Sequence, residues 1–129
     1  MLTGPDSRRP GTDGASLADR PAAKYFGVRT PDGVTVALED AAGGVRPLAL
    51  RLDLRSHSPS GFEWGYAGSG PAQLAFAVLV DVVGPARAMP LYQAFKARVV
   101  AGFGGDRWEL TREDVLRWVA AAERPEGTA

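Results

Sequence analysis

The chain has 129 residues, 45% of them apolar and 23% charged, a composition typical of one globular domain. Fifteen Lys and Arg balance fifteen Asp and Glu, which disfavours general nucleic-acid binders and membrane-surface proteins, because both depend on excess basic charge. Cysteine is absent, so a disulfide framework, a thiol nucleophile and any cysteine-containing zinc site are excluded.

The longest apolar run, from Leu74 to Val80, is far shorter than the ~20 residues of a membrane helix, and the first residues lack the apolar stretch of a secretory signal. We therefore expect a cytoplasmic protein without a membrane segment. Residues 1–23 and 124–129 have few large apolar side chains and are predicted to be disordered tails, because they cannot bury enough surface to offset their ordering entropy. A single domain is expected at residues 24–123.

The turn sequence Thr30-Pro31-Asp32-Gly33 separates the two β-type segments KYFGVR and VTVALED. Proline presets φ, aspartate bonds its own backbone and glycine accepts positive φ, so this sequence predicts a hairpin of two antiparallel strands.

Strict alternation from Leu48 to Leu54 predicts a further strand, with its four leucines on one face and Ala49, Arg51 and Asp53 on the other. Because the second face is polar, we expect helices to cover only one side of the sheet.

Three helices are predicted in the second half of the chain. The first, Pro71 to Val83, is apolar on almost all sides and is expected to be central and buried, with Gly84 and Pro85 ending it. The second lies between Ala86 and Phe103. Its buried face is expected to contain Leu91, Tyr92, Phe95 and Val99, with Met89 at the edge of that face.

A short strand, Arg107 to Leu110, leads into the third helix, where Thr111 and Asp114 have the spacing of a capping box. The buried face of this helix is predicted to be Val115, Leu116, Trp118, Val119 and Ala122. The predicted fold class is α+β, with a small antiparallel sheet of three to four strands packed on one face by about three helices.

The run from His57 to Ala75 reads HSPSGFEWGYAGSGPAQLA and contains the chain's one histidine. Connections in compact domains are usually ~4 to 6 residues long, so a longer one is often a binding or catalytic loop. With Tyr25-x-Gly27-x-Arg29, Pro47-Leu48, Phe95-Lys96 and the closing tryptophan helix, it resembles an uncharacterised family of bacterial and phage proteins, a domain of unknown function. The resemblance spans roughly Tyr25 to Val119 and implies no activity, only an accessory or regulatory role.

Gly68-Ser69-Gly70-Pro71 runs directly into the first predicted helix, whose exposed N–H groups would attract a phosphate or carboxylate. Gln73, Trp64 and Tyr66 complete this candidate ligand site. The alternative is structural: Ser69 or Gly70 caps the helix, Pro71 takes an early position and the glycines permit tight packing. We favour it, because no lysine is near and neither phosphate-binding glycine motif is present. No cofactor is predicted.

His57, Glu63 and a serine are the candidate catalytic residues, because a base, an orienting acid and a nucleophile within hydrogen-bond reach could act together. The candidate serines are Ser58, Ser60 and Ser69. The spacing matches no nucleophile-elbow motif, so a structural histidine bonded to backbone or to Glu63 is favoured. A metal site is not predicted, since Asp53 and Glu63 would have to complete a shell around a single histidine.

Alternation also places Phe62, Trp64 and Tyr66 on one face of a short strand. A base-stacking platform would need flanking cations such as Arg46, Arg51 and Arg55, and core packing is the favoured interpretation.

Two functions of different class remain open. The first is a non-enzymatic interaction or regulatory module of bacterial, phage or mobile-element origin, binding a protein partner. The second is a small-anion-binding protein or enzyme that uses residues 57–73. Nucleic acid is a distant third partner, the oligomeric state is open, and the absence of a catalytic signature favours a role other than catalysis.

Overall fold

The computed structural model describes residues 20–56 and 61–125. The fold begins with a hairpin. Strands β1 (Ala22–Thr30) and β2 (Gly33–Asp40) are antiparallel, and Thr30 pairs with Gly33 across the turn. The Asp32 amide donates to Oγ1 of Thr30 at 3.2 Å, which holds the turn closed. The predicted hairpin is confirmed.

Two shorter strands extend the hairpin into a four-stranded antiparallel sheet of order β3-β2-β1-β4. Strand β3 (Val45–Pro47) pairs with β2, and β4 (Arg107–Thr111) pairs with β1. The helices lie against one face of this sheet, since Tyr25, Val36 and Leu38 share a core with them. The predicted α+β class is therefore confirmed.

The predicted strand from Leu48 to Leu54 is wrong. Strand pairing ends at Pro47, and residues 48–56 follow an irregular path with a turn at 52–54. Arg51 has a φ of 59°, which ends the extended conformation, and the amides of Leu54 and Arg55 both donate to the Arg51 carbonyl. The predicted leucine face is lost with the strand: Leu48 is buried, whereas Leu52 and Leu54 are more than one third exposed.

The central helix α1 (Ser69–Val83) is buried along nearly its whole length, as its apolar sequence predicts. Gly84 ends it, donating its amide to the carbonyl of Val80. The core of the domain lies between α1 and the sheet.

The region predicted as one second helix is divided into two. Helix α2 (Pro85–Ala88) and helix α3 (Tyr92–Arg98) are separated at Pro90, and a 3₁₀ turn (Val100–Gly102) follows α3. Tyr92 and Phe95 are buried as expected, but Met89 is 41% exposed.

Helix α4 (Arg112–Glu123) begins with the predicted capping box, in which the Asp114 amide donates to Oγ1 of Thr111 at 3.0 Å. Val115 and Val119 are buried, whereas Leu116 is 41% exposed, so its predicted burial is wrong. None of the described helices combines the length and apolar character that a membrane span requires.

Candidate functional site

The glycine-rich motif forms an irregular segment, residues 61–68, which leads into α1. His57, Ser58 and Ser60 lie outside the described residues, so the constellation of His57 with Glu63 and a serine stays a prediction. For Glu63 and Ser69 the geometry can be given.

Glu63 is bound by Arg29, which reaches it from β1. Nη2 of Arg29 donates to Oε1 of Glu63 at 2.6 Å, and the Trp64 amide donates to the same oxygen at 3.3 Å. Nη1 of Arg29 donates to Asp106 Oδ1 at 3.0 Å and to the Gly105 carbonyl at 3.1 Å. The hydrogen bond to Glu63, and next that to Asp106, raises the pKa of Arg29 above its usual value. Glu63 therefore stands in an ion-pair network rather than as a free base.

Trp64 is a core residue. It is 2% exposed, its Nε1 donates to the Gly105 carbonyl at 3.0 Å, and the Arg29 guanidinium lies 4.5 Å from its ring centroid. Its ring also meets Trp108 edge-on, with centroids 5.9 Å apart. These contacts leave no face of Trp64 for a stacked base, which agrees with the core-packing interpretation.

The short strand proposed for Phe62, Trp64 and Tyr66 is wrong. Residues 61–68 have no strand pairing, and Gly61 and Gly65 have φ values of 136° and 89° that interrupt an extended run. The three aromatics do not share a face: Trp64 is buried, Phe62 is half-buried and Tyr66 is 52% exposed.

The N-cap of α1 is Gly68, so the prediction that Ser69 or Gly70 occupies this position is wrong. No side chain caps the helix, and Pro71, the third helical residue, has no amide hydrogen to offer. The Ala72 amide already donates to the Gly68 carbonyl at 3.0 Å. The amides of Ser69 and Gly70 are the helix-start donors that bond no acceptor within the described chain.

The glycines of the motif permit close contact, as the structural interpretation predicts. A Cβ on Gly68 would lie 2.3 Å from the Tyr66 ring, and one on Gly70 would lie 2.7 Å from Cβ of Glu63. The Tyr66 ring therefore lies across the start of α1.

A cavity of about 400 Å³ opens beside these residues. It brings together four of the predicted site residues: Glu63, Tyr66, Ser69 and Gly70. Trp64, Gly68 and Gln73 do not line it. The remaining walls are Val34, Gly61 and Phe62. The site thus offers hydroxyl and amide donors together with one carboxylate.

Gln73, one turn after Ser69 in α1, is fully buried and does not line the cavity. Its Nε2 donates to the carbonyls of Leu50 at 2.7 Å and Arg55 at 2.9 Å. Gln73 therefore fixes the irregular segment 48–56 against the helix and is not part of the cavity, contrary to its predicted place in the ligand site.

Asp53 and Glu63, the two carboxylates considered for a metal shell, are each paired with an arginine, Arg51 and Arg29 respectively. The described ranges contain no group of three Asp, Glu or His side chains placed to hold a metal ion.

Sequence reasoning missed the pair formed by Tyr25 and Asp81. Tyr25 is fully buried, and its hydroxyl donates to Oδ2 of Asp81 at 2.5 Å. Burial, followed by this hydrogen bond, raises the pKa of Tyr25 far above its usual value. A buried partner for Asp81 could have been expected from the sequence, because Asp81 is the one charged residue of the apolar helix α1.

Sequence reasoning also missed the face of the sheet turned away from the helices, here called the outer face. Because side chains alternate along a strand, Phe26 and Val28 point away from Tyr25, and neither belongs to the core. Ala37 is 5% exposed, although it too lies outside the core cluster. Phe26 pairs with Ala37 across β2, and Ala37 pairs with Pro47 on β3. An apolar row therefore crosses the middle of the outer face.

Charged residues border this row. Nζ of Lys24 lies 3.4 Å from Oε2 of Glu109 and 3.9 Å from Oε1 of Glu39. Arg107 lies on the same face of β4 as Glu109. A cavity of about 280 Å³ lies between β1 and β4, with Phe26, Val28, Arg107 and Glu109 among its walls. No helix of the described chain covers the outer face.

Comparison with known proteins gives one match. A family model described as a family of unknown function (DUF6166) matches residues 25–121. No curated protein and no solved structure matches the chain at a significant level. The match confirms the resemblance found in the sequence and assigns no reaction, ligand or partner.

Proposed function

The chain belongs to the family of unknown function DUF6166, which brings no activity with it, and we propose from the geometry that it is a non-enzymatic interaction module of the cytoplasm. In this proposal the outer face of the sheet binds a protein partner.

The observation that carries the proposal is the helix-free, apolar centre of the outer face. Phe26 and Val28 are half-buried there, and Pro47 is exposed. Val45 at the β3 end is 60% exposed, whereas Ala37, which pairs with Phe26 and Pro47, is buried. Exposed apolar surface with a polar border is typical of protein–protein contact sites. The border carries two cations and two anions, so it complements a partner with an apolar strip and charges of both signs.

The contacts inside the motif support a role other than catalysis. Glu63 is held by Arg29, Trp64 is buried with its Nε1 bonded, and Gln73 is bonded to two backbone carbonyls. These residues join the segment before α1 to the sheet and the helix, so the motif acts as a structural element that holds the sheet in place.

The resemblance to bacterial and phage proteins noted in the sequence supports a host or mobile-element protein as the partner. Because the chain has no net charge, contacts in the interface rather than bulk electrostatic attraction would select that partner.

The test is capture from native lysate by the immobilised protein, comparing wild type with Phe26→Lys and a matched control, Leu116→Lys. Leu116 is an exposed leucine on α4, away from the outer face. A protein held by wild type and by the control but lost by Phe26→Lys, and then shown to bind in purified form, supports the proposal. Capture that survives Phe26→Lys, or no capture by wild type, contradicts it.

A second candidate function is binding of a small anion in the 400 Å³ cavity. The amides of Ser69 and Gly70, which bond no acceptor among the described residues, favour it, because helix-start donors attract phosphate or carboxylate. Glu63 opposes it, since its carboxylate lines the same cavity, and this places the interaction module first. A thermal-shift screen with inorganic phosphate, nucleotides and carboxylates is the test. Stabilisation that Ser69→Pro abolishes, through loss of one amide donor, supports anion binding, and no stabilisation at millimolar ligand rejects it.

A further inference from the structure

The two edges of the sheet differ in how they are protected. At one edge, β3 has three residues and ends at Pro47, and a short strand with a proline resists pairing with another chain. At the other edge, β4 has five residues, RWELT, with no proline and a continuous register against β1. β4 therefore retains the features of a strand able to accept a neighbour.

The free side of β4 is not covered by another element of the described chain. Among the described helices and strands, β4 contacts β1 and α4, which follows it directly. Trp108 also packs on Trp64 and Phe103, on the inner face of the sheet. Helix α4 turns beneath the sheet, where it contacts β1 and α1. One row of backbone N–H and C=O groups along β4 is consequently left without a strand partner.

Two opposite charges occupy alternate positions on β4. Arg107 and Glu109 lie on the outer face, two residues apart, with Trp108 between them on the inner face. The guanidinium of Arg107 has no ion pair or side-chain hydrogen bond within the described ranges. The Glu109 side chain is 70% exposed despite its contact with Lys24.

These charges select one register for pairing with a second copy. If two β4 strands meet antiparallel about a two-fold axis at Trp108, Arg107 of each faces the partner's Glu109, giving two reciprocal ion pairs. Centring the axis on Arg107 or on Glu109 instead places like charges directly opposite each other, which is unfavourable. Of the registers centred on Arg107, Trp108 or Glu109, only the one centred on Trp108 sets both charges opposite charges of the other sign.

We propose that the protein forms a two-fold symmetric dimer by antiparallel pairing of β4 with the β4 of a second copy, joining two four-stranded sheets into one of eight strands. The neutral net charge removes long-range repulsion between copies. This inference goes beyond the proposed function and does not depend on it. The dimer would place both outer faces side by side on one surface.

The decisive experiment uses two charge reversals and measures mass by sedimentation equilibrium over a range of concentrations. Wild type is expected to be dimeric, and Glu109→Arg and Arg107→Glu are each expected to fall to half that mass. An equimolar mixture of the two variants restores the dimer, because each supplies the charges that the other lacks. The double variant R107E/E109R also restores it.

Glu39→Arg is the matched control, since Glu39 also contacts Lys24 on the outer face but lies on the inner strand β2. It is expected to stay dimeric. Amide exchange on wild type provides a readout without substitution: protection at residues 107–111 should rise with protein concentration.

A wild type that stays monomeric overturns the proposal, as does a dimer that survives both reversals. A mixture of folded variants that remains monomeric, or β4 amides whose exchange ignores concentration, overturns it equally.

Discussion

Arg29 and Glu63 join the sheet to the glycine-rich motif across 34 positions of sequence, with Nη2 and Oε1 2.6 Å apart. The same guanidinium packs on the Trp64 ring. Arg29, the last residue of the Tyr25-x-Gly27-x-Arg29 pattern, therefore contacts both Glu63 and Trp64. This contact explains these motif residues by their role in the fold, without a ligand.

Replacing Arg29 is expected to destabilise the protein through loss of this contact. Arg29→Ala removes hydrogen bonds to two carboxylates and the cation–π contact, and should lower the free energy of unfolding by more than the loss of an exposed ion pair does. Arg29→Lys keeps the charge but not the planar fork, and should lower it by less than Arg29→Ala. Urea unfolding monitored by tryptophan fluorescence measures both.

Arg117→Ala is the control for Arg29. Arg117 is paired with Asp114 and Glu113 on the exposed side of α4, where ion pairs contribute about 0.5 kcal/mol or less. If Arg29→Ala costs no more than Arg117→Ala, the Arg29 contact is not a main fixing point of the motif.

The elements that sequence predicts well are those set by local chemistry. The hairpin follows from its turn residues, and the start of α4 follows from the spacing of Thr111 and Asp114. The burial of α1 follows from its composition, because a helix with apolar residues on all sides needs cover on all sides.

The segment after β3 could not be predicted in this way. The leucine alternation from Leu48 to Leu54 satisfies the strand pattern, but Arg51 adopts a left-handed conformation and Gln73 binds the Leu50 carbonyl from a distant helix. Periodicity cannot detect a contact made by a residue more than twenty positions away. The same limit hid the pairing of Tyr25 with Asp81.

The structure brings part of the candidate site together, and its role as a ligand site stays a prediction. Glu63, Tyr66, Ser69 and Gly70 do line one cavity. Trp64 and Gln73 are instead buried. A large aromatic ring stabilises the fold by burying apolar area, and the buried Gln73 amide is hydrogen-bonded. The outer face could have been identified from the alternation in KYFGVR once the hairpin was assigned.

Adding a methyl group at Gly27 is expected to disrupt the packing of Trp108. A Cβ there would lie 2.2 Å from Nε1 and 2.6 Å from Cε2 of the Trp108 ring, so either the ring or the strand must move. Gly27→Ala should cost about 2 to 3 kcal/mol, as overpacking does in well-filled cores. Gly104→Ala, where a Cβ would meet nothing within 4 Å, should change stability by about 0.5 kcal/mol or less. Thermal unfolding compares the two, and equal shifts would show that Gly27 is not a packing requirement.

Reversing the hydrogen-bonding character of Gln73 is expected to release the segment 48–56 from α1. In Gln73→Glu the donor to the Leu50 and Arg55 carbonyls becomes an acceptor, and a buried carboxylate would face two carbonyl oxygens. The expected loss is about 3 kcal/mol. Gln93→Glu, the same change on an exposed position of α3, is the control and should be near neutral. Similar urea midpoints for the two variants would contradict the assigned role.

The raised pKa of Tyr25 predicts a loss of stability at alkaline pH. Above the ordinary tyrosine value of 10.0, this residue ionises in the unfolded chain but keeps its proton in the folded one. The folded state then binds one more proton, so stability is complete below pH 10.0 and falls as the pH rises, by about 1.4 kcal/mol per pH unit for this group.

Tyr25→Phe should therefore be less stable than wild type near neutral pH, because the bond to Asp81 is lost, yet have a shallower alkaline decline. Thr111→Ala is the control, since loss of the α4 cap costs about 1 kcal/mol without removing a tyrosine. Its alkaline slope should match that of wild type. Urea unfolding from pH 8 to pH 11 gives the three slopes, and a Tyr25→Phe slope as steep as the wild-type slope would mean that the Tyr25 proton is not retained by the fold.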